Sequence, residues 1–182
     1  MKATTPERIT LIGFMGSGKT SVGRELARVL NAELIDIDRL IESREGMTIN
    51  EIFEKRGETY FRDLERRTVE EMNGKKGPLI VCSGGGVILD ARNVENIRKR
   101  GVSVWLKAKA ETVYARIAEE GTRPVLNDDM SVEKITAVLE KRLPFYEAAA
   151  DIAIDTDGKT IAQIGAEILI RLGSPAFDRP RP

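Results

Sequence analysis

Short apolar runs recur along this chain at 9–13, 33–36, 79–82, 102–106 and 152–155, and longer stretches of helical period lie between them. The helix-like stretches are 19–30, 64–72, 91–99, 110–119, 132–149 and 161–172. Runs of four or five apolar residues are too short for helices, and their near-continuous apolarity implies burial on both faces. Strands alternating with helices predict a parallel sheet covered by helices on both sides, a three-layer α/β sandwich with five strands. Residues 1–172 read as one such domain, and 173–182, with three prolines, as a flexible tail. Ligands of open parallel sheets bind beyond the carboxyl ends of the strands, so the residues just after each run carry the expected chemistry.

After the first run comes Gly13-Phe14-Met15-Gly16-Ser17-Gly18-Lys19-Thr20, which fits G-x-x-x-x-G-K-[ST] in the strand–loop–helix setting that motif requires. Glycines let successive backbone N–H groups curl around phosphate oxygens, and the following helix offers its positive end. Lys19 then bridges the β and γ phosphates and Thr20 ligates magnesium. A glycine-rich turn is the competing reading, and the preceding strand argues against it.

Bulk properties exclude much else. With 29 basic and 29 acidic residues there is no global field for nucleic acid or an anionic membrane, so any anion site is local. No histidine occurs, which removes serine–histidine triads, histidine bases and histidine-ligated zinc. Cys82 is the single cysteine and reads as a buried, inert thiol. No membrane-length apolar stretch or leader is apparent, so a cytoplasmic monomer is expected.

Several further features cluster at the run ends. Asp36-Ile37-Asp38 closes the second run, and alternation along an extended segment would put both carboxylates on one side; a helix N-cap is the equal alternative. The third run ends in Ser83-Gly84-Gly85-Gly86, where bare backbone permits close approach of a ligand. It lacks the aspartate that many phosphate-loop proteins use for magnesium, leaving Asp36 or Ser83 to act through water. Arg62, with Glu65 three residues on, and Arg142 could clamp a planar carboxylate or be ordinary surface cations. Residues 37–74 are long and charged for one crossover, and residues 121–130, which include Gly121-Thr122-Arg123-Pro124-Val125-Leu126, resemble a lid with one arginine.

Together these motifs are similar to those of shikimate kinases. That family carries, in order, the phosphate loop, a D-x-D pair, an F-R-x-x-E segment, a triple glycine, an R-P-[LV]-L lid and a K-R-x-P-x-Y helix. All six occur here, the last as Lys141-Arg142-Leu143-Pro144-Phe145-Tyr146. The resemblance implies a nucleoside-monophosphate-kinase-like fold and transfer of the γ-phosphoryl of ATP to the 3-hydroxyl of shikimate, with Mg2+ as cofactor. It implies that Asp38 holds the ring hydroxyls and the reacting oxygen, that Arg62 and Arg142 grip the carboxylate, and that Gly84, Gly85 and Gly86 contact shikimate. ATP would meet Gly16, Ser17, Gly18, Lys19, Thr20 and Ser21, with Arg116 and Lys159 near the adenine and Arg123 closing on the transferred group. Lys19, Asp38 and Arg123 would be the catalytic set. A gluconate or nucleotide kinase would share the loop but has no reason for arginines at both 62 and 142. A guanine-nucleotide switch would need an N-K-x-D motif, and none is present.

Overall fold

The computed structural model describes residues 6–120 and 131–173. Within them β1 (Arg8–Ile12), β2 (Glu33–Asp36), β3 (Leu79–Cys82), β4 (Val102–Lys107) and β5 (Ile152–Asp155) form one parallel sheet in the order β2-β3-β1-β4-β5. Position in the sheet explains the apolar pattern. The central strands β1 and β3 are buried at every residue, whereas the edge strand β5 alternates between buried and exposed and the edge strand β2 buries only Ile35.

Helices α1 (Lys19–Leu30) and α8 (Ile161–Leu172) cover one face, where Val22, Leu26, Ile164 and Ile168 pack on Leu11, Cys82 and Val104. The opposite face carries α2 (Ile37–Glu45), α3 (Ile49–Arg56), α4 (Glu58–Glu71), α5 (Ala91–Arg98) and α7 (Val132–Ala149), packed on Ile12, Val81 and Trp105 through residues such as Ile41, Ile52, Phe61 and Tyr146. A third cluster joins α6 (Ala110–Glu120) and α7 to Phe14 at the start of the phosphate loop. The expected three layers and five strands are all present.

Two expectations change. Residues 37–56 fold as α2 and α3, and α4 begins at Glu58, six residues before the expected 64, so Arg62 is helical. The extended run through Asp36-Ile37-Asp38 ends at Asp36, whose Oδ1 accepts from Arg39 N at 3.3 Å and caps α2. Strand alternation therefore does not align the two carboxylates; aspartate at an N-cap starts a helix, and Asp38 sits in its first turn. Gly173 caps α8 by donating N–H to Leu169 O at 3.0 Å, and residues 174–182 lie outside the described residues.

The strand order reverses at β1, because the β3-to-β4 connection crosses over it. Register pairs Leu11 with Cys82, and Ser83 N donates to Leu11 O at 3.1 Å, so the chain leaves β1 and β3 side by side. The phosphate loop and the glycine run thus meet at the switch point of the sheet.

Candidate active site

One cavity of about 410 Å³ opens over these strand ends. Its wall holds Lys19, Arg62, Arg116, Arg142 and Lys159 against Asp36, Asp38 and Glu65, five cations to three carboxylates in a chain whose formal charge is zero. The excess of cations over carboxylates is local to this cavity. A hollow of about 530 Å³ along the side of β2 competes only in size, since both of its cations are already paired, as Arg44–Glu71 and Lys75–Glu33.

At one end lies the phosphate loop. Gly16 and Gly18 take φ values of 69° and 91°, the left-handed region that other residues rarely enter, and this bends the loop back over itself. No side chain caps α1 and its first turn is free of acids, so its leading N–H groups are left open to an anion. Lys19 Nζ lies across the loop and donates to Gly13 O at 2.8 Å and Phe14 O at 2.7 Å. Gly16, Ser17, Gly18, Lys19, Thr20 and Ser21 all line the cavity. Ser17 Oγ is buried without a protein partner inside the loop.

The residues expected around magnesium adjoin it. Thr20 Oγ1 donates to Asp36 Oδ2 at 2.8 Å, joining the start of α1 to the end of β2. Ser83 Oγ donates to Leu11 O at 3.0 Å, which commits its proton and leaves its lone pairs to accept from water. No group of three His, Cys, Asp or Glu side chains among the described residues could hold an ion alone. That donor set fits magnesium, which keeps several waters and takes its other ligands from phosphates.

Beyond the glycine run the wall becomes an acceptor pocket. An ideal Cβ on Gly84 would lie 2.7 Å from Glu65 Oε1 and 2.9 Å from Asp38 Oδ1, so two carboxylates from different helices converge on one bare Cα. Glu65 is 1% exposed; burial raises its pKa, with Asp38 and Asp90 adding to the rise and Arg62 opposing it. Arg62 Nη1 donates to Glu65 Oε2 at 2.9 Å, as the spacing of three along a helix predicts. Arg142 Nη1 donates to Gly85 O at 3.3 Å and its guanidinium lies 5.5 Å from the centre of the Phe14 ring. The two arginines therefore converge on the same short run from α4 and α7.

At the other end, Arg116 donates to Gly16 O at 3.2 Å and to Thr156 Oγ1 and Thr156 O at 3.4 Å, tying α6 to both the phosphate loop and the loop after β5. Lys159 lines the cavity, but its ammonium is paired with Glu167 at 2.6 Å. Arg123 and the expected lid at 121–130 lie outside the described residues.

Five side chains to which the sequence assigns no role of their own also shape the site. Ile49, Phe53 and Phe61 form an apolar wall, with the two rings 4.8 Å apart; on amphipathic helices they are indistinguishable from core. Tyr146, 1% exposed, stacks on Trp105 at 5.4 Å and donates its hydroxyl to Gly85 O at 2.7 Å. Ile161, 45% exposed, lines the cavity beside Lys159. An exposed isoleucine at a helix start is a weak signal without the cavity around it.

A parallel sheet with an uncapped phosphate loop, a threonine–aspartate pair beneath it and an adjoining carboxylate-and-arginine pocket defines a phosphate-loop kinase of small molecules. A family model described as shikimate kinase matches residues 15–173. A shikimate kinase of Sulfurihydrogenibium is 43% identical over 166 residues, covering 91% of this chain and 98% of that protein. One of Persephonella marina is 44% identical over 164 residues, covering 90% and 98%. Among solved structures, shikimate kinase from Acinetobacter baumannii in complex with shikimate superposes with a TM-score of 0.86 at 36% identity, over 93% of this chain and 94% of that one. A gluconokinase from Sinorhizobium meliloti, at 18% identity and a TM-score of 0.56, shares the fold alone. The chain belongs to the shikimate kinase family.

Proposed function

We infer that this chain transfers the γ-phosphoryl of ATP to the 3-hydroxyl of shikimate, giving shikimate 3-phosphate and ADP for chorismate and aromatic amino acid biosynthesis. The observation that carries this reading is a single cavity with the phosphate loop at one end and the Arg62, Arg142 and Asp38 pocket at the other. Phosphoryl transfer needs alignment and charge stabilisation rather than a covalent nucleophile, which a chain without histidine can supply.

The loop from Gly16 to Ser21 holds the phosphates through backbone N–H groups, and Lys19 swings from its carbonyl partners to the β and γ oxygens. Thr20 would hold Mg2+ directly, with Asp36 and Ser83 acting through its waters. Bound there, the ion offsets the negative charge that builds between the β and γ phosphates. Arg62 and Arg142 grip the shikimate carboxylate, Gly84 to Gly86 lie along its ring, and Asp38 receives or orients the reacting hydroxyl. A loose transition state demands little basicity, so orientation is the larger part of that role. Arg116 and Lys159 border the adenine, and Arg123 stabilises charge on the transferred group. We assign the working form as a cytoplasmic monomer. Among the described residues no helix is long and apolar enough to cross a membrane.

The test is ADP release from purified protein with MgATP, with and without shikimate, against gluconate and nucleoside monophosphates. Release that depends on shikimate alone supports the acceptor assignment. Release driven by another acceptor would leave the phosphate loop standing and remove the roles of Asp38, Arg62 and Arg142.

A further inference from the structure

Gly86 has no backbone reason to be glycine. Its φ of −102° and ψ of 0° are open to any L residue, as at the third position of a type I turn. Space is the reason. An ideal Cβ there would lie 2.7 Å from Arg62 Nη1, 2.8 Å from Nη2 and 3.0 Å from Cζ, so the guanidinium rests across the bare Cα. Restoring an ordinary contact of 3.4 Å requires Arg62 to retreat by about 0.7 Å.

Arg62 is tethered by Glu58, Glu65 and Phe61. Its Nε and Nη2 both donate to Glu58 Oε1 at 3.2 Å, its Nη1 donates to the buried Glu65, and its Cζ lies 5.3 Å from the centre of the Phe61 ring. Three of the five guanidinium N–H groups are thereby engaged, leaving one on each terminal nitrogen. Two N–H groups in a fixed fork are what a carboxylate takes bidentately.

We propose that Gly86 is a positioning residue for shikimate binding: its missing side chain is the seat that fixes the Arg62 fork in the acceptor pocket. This rests on the reading that Arg62 grips the shikimate carboxylate. It assigns Gly86 a role through Arg62, distinct from direct contact with the acceptor.

The test measures kcat and both KM values for wild type, Gly86→Ala, Arg62→Ala and the double variant. A charge-assisted pair contributes about 1.5–3 kcal/mol, or roughly ten- to a hundredfold. Gly86→Ala should raise the shikimate KM by about tenfold or more while the MgATP KM stays within about twofold. The double variant should be no worse than Arg62→Ala, because removing the guanidinium removes the clash. A shikimate KM within about twofold of wild type for Gly86→Ala, or multiplicative effects in the double variant, overturns the seat. Should Gly86→Ala fold poorly, recovery of folding in the double variant supports the seat and equal misfolding overturns it. An unchanged shikimate KM in Arg62→Ala would instead sink the clamp reading beneath it.

Discussion

Tyr146→Phe removes one oxygen from the interior of the site and keeps the ring. The hydroxyl is buried with its ring and donates to Gly85 O at 2.7 Å, while the ring stacks on Trp105 with planes 8° apart. Phenylalanine keeps the stacking, so no cavity term enters. Gly85 O is also reached by Arg142 Nη1 at 3.3 Å, so the variant leaves no orphaned acceptor. The loss is then that of an ordinary buried hydrogen bond, about 1 kcal/mol, not the larger penalty of an unsatisfied group. For a chain of this size that lowers the unfolding midpoint by about 2–4 °C, read by circular dichroism or calorimetry. Tyr146→Ala, which deletes the buried ring as well, should cost about 3–5 kcal/mol. In steady-state assays Tyr146→Phe should raise the shikimate KM several-fold with the MgATP KM unchanged, because Gly85 lies between the glycines that face Asp38 and Arg62. An unfolding midpoint and a shikimate KM both equal to wild type would refute the claim that this hydroxyl holds the glycine run.

Asp38→Asn should lower kcat by about a hundredfold or more while MgATP still binds by titration calorimetry; normal turnover would end its assigned role. Burial raises the pKa of Glu65, so the folded protein keeps that proton to higher pH than the unfolded chain. The stability it contributes is therefore full below the ordinary value of 4.5 and is lost as pH rises through the raised one. Melting temperatures of wild type relative to Glu65→Gln should accordingly fall as pH rises from 4.5, and a rising difference would contradict the burial argument. Cys82 is pushed up to about 12 by burial and donates to Lys19 O at 3.2 Å, so at pH 8 the thiol stays protonated. Native protein should resist a thiol reagent at that pH until it unfolds, and prompt stoichiometric labelling would show the thiol to be accessible.

How much was legible follows from what carries each signal. Buried parallel strands must be apolar throughout, and the five runs fall on the five strands to within a residue. The helices at 37–56 escaped because they are short and charged, with small apolar faces such as Ile37 and Ile41. Their starts were nevertheless written locally: Asp36 caps α2, and Thr48 with Glu51 forms a complete capping box for α3. Asp36 and Asp38 line the same cavity, but the geometry that brings them there is a helical turn.

The sequence by itself determined what local chemistry can encode: the strand and helix periods, the phosphate loop, and which residues were eligible for the site. Tertiary structure decided which eligible groups meet. Strand order brings Gly85 against the phosphate loop, with an ideal Cβ 3.4 Å from Met15 N, although 70 residues separate them in the chain. Packing of α4 and α7 on the same face brings Arg62 and Arg142 to adjacent glycines and turns Tyr146 from a motif letter into a hydrogen-bonded strut. Such contacts depend on distances across the sheet, and pattern along a chain carries no information about distances between elements far apart in it.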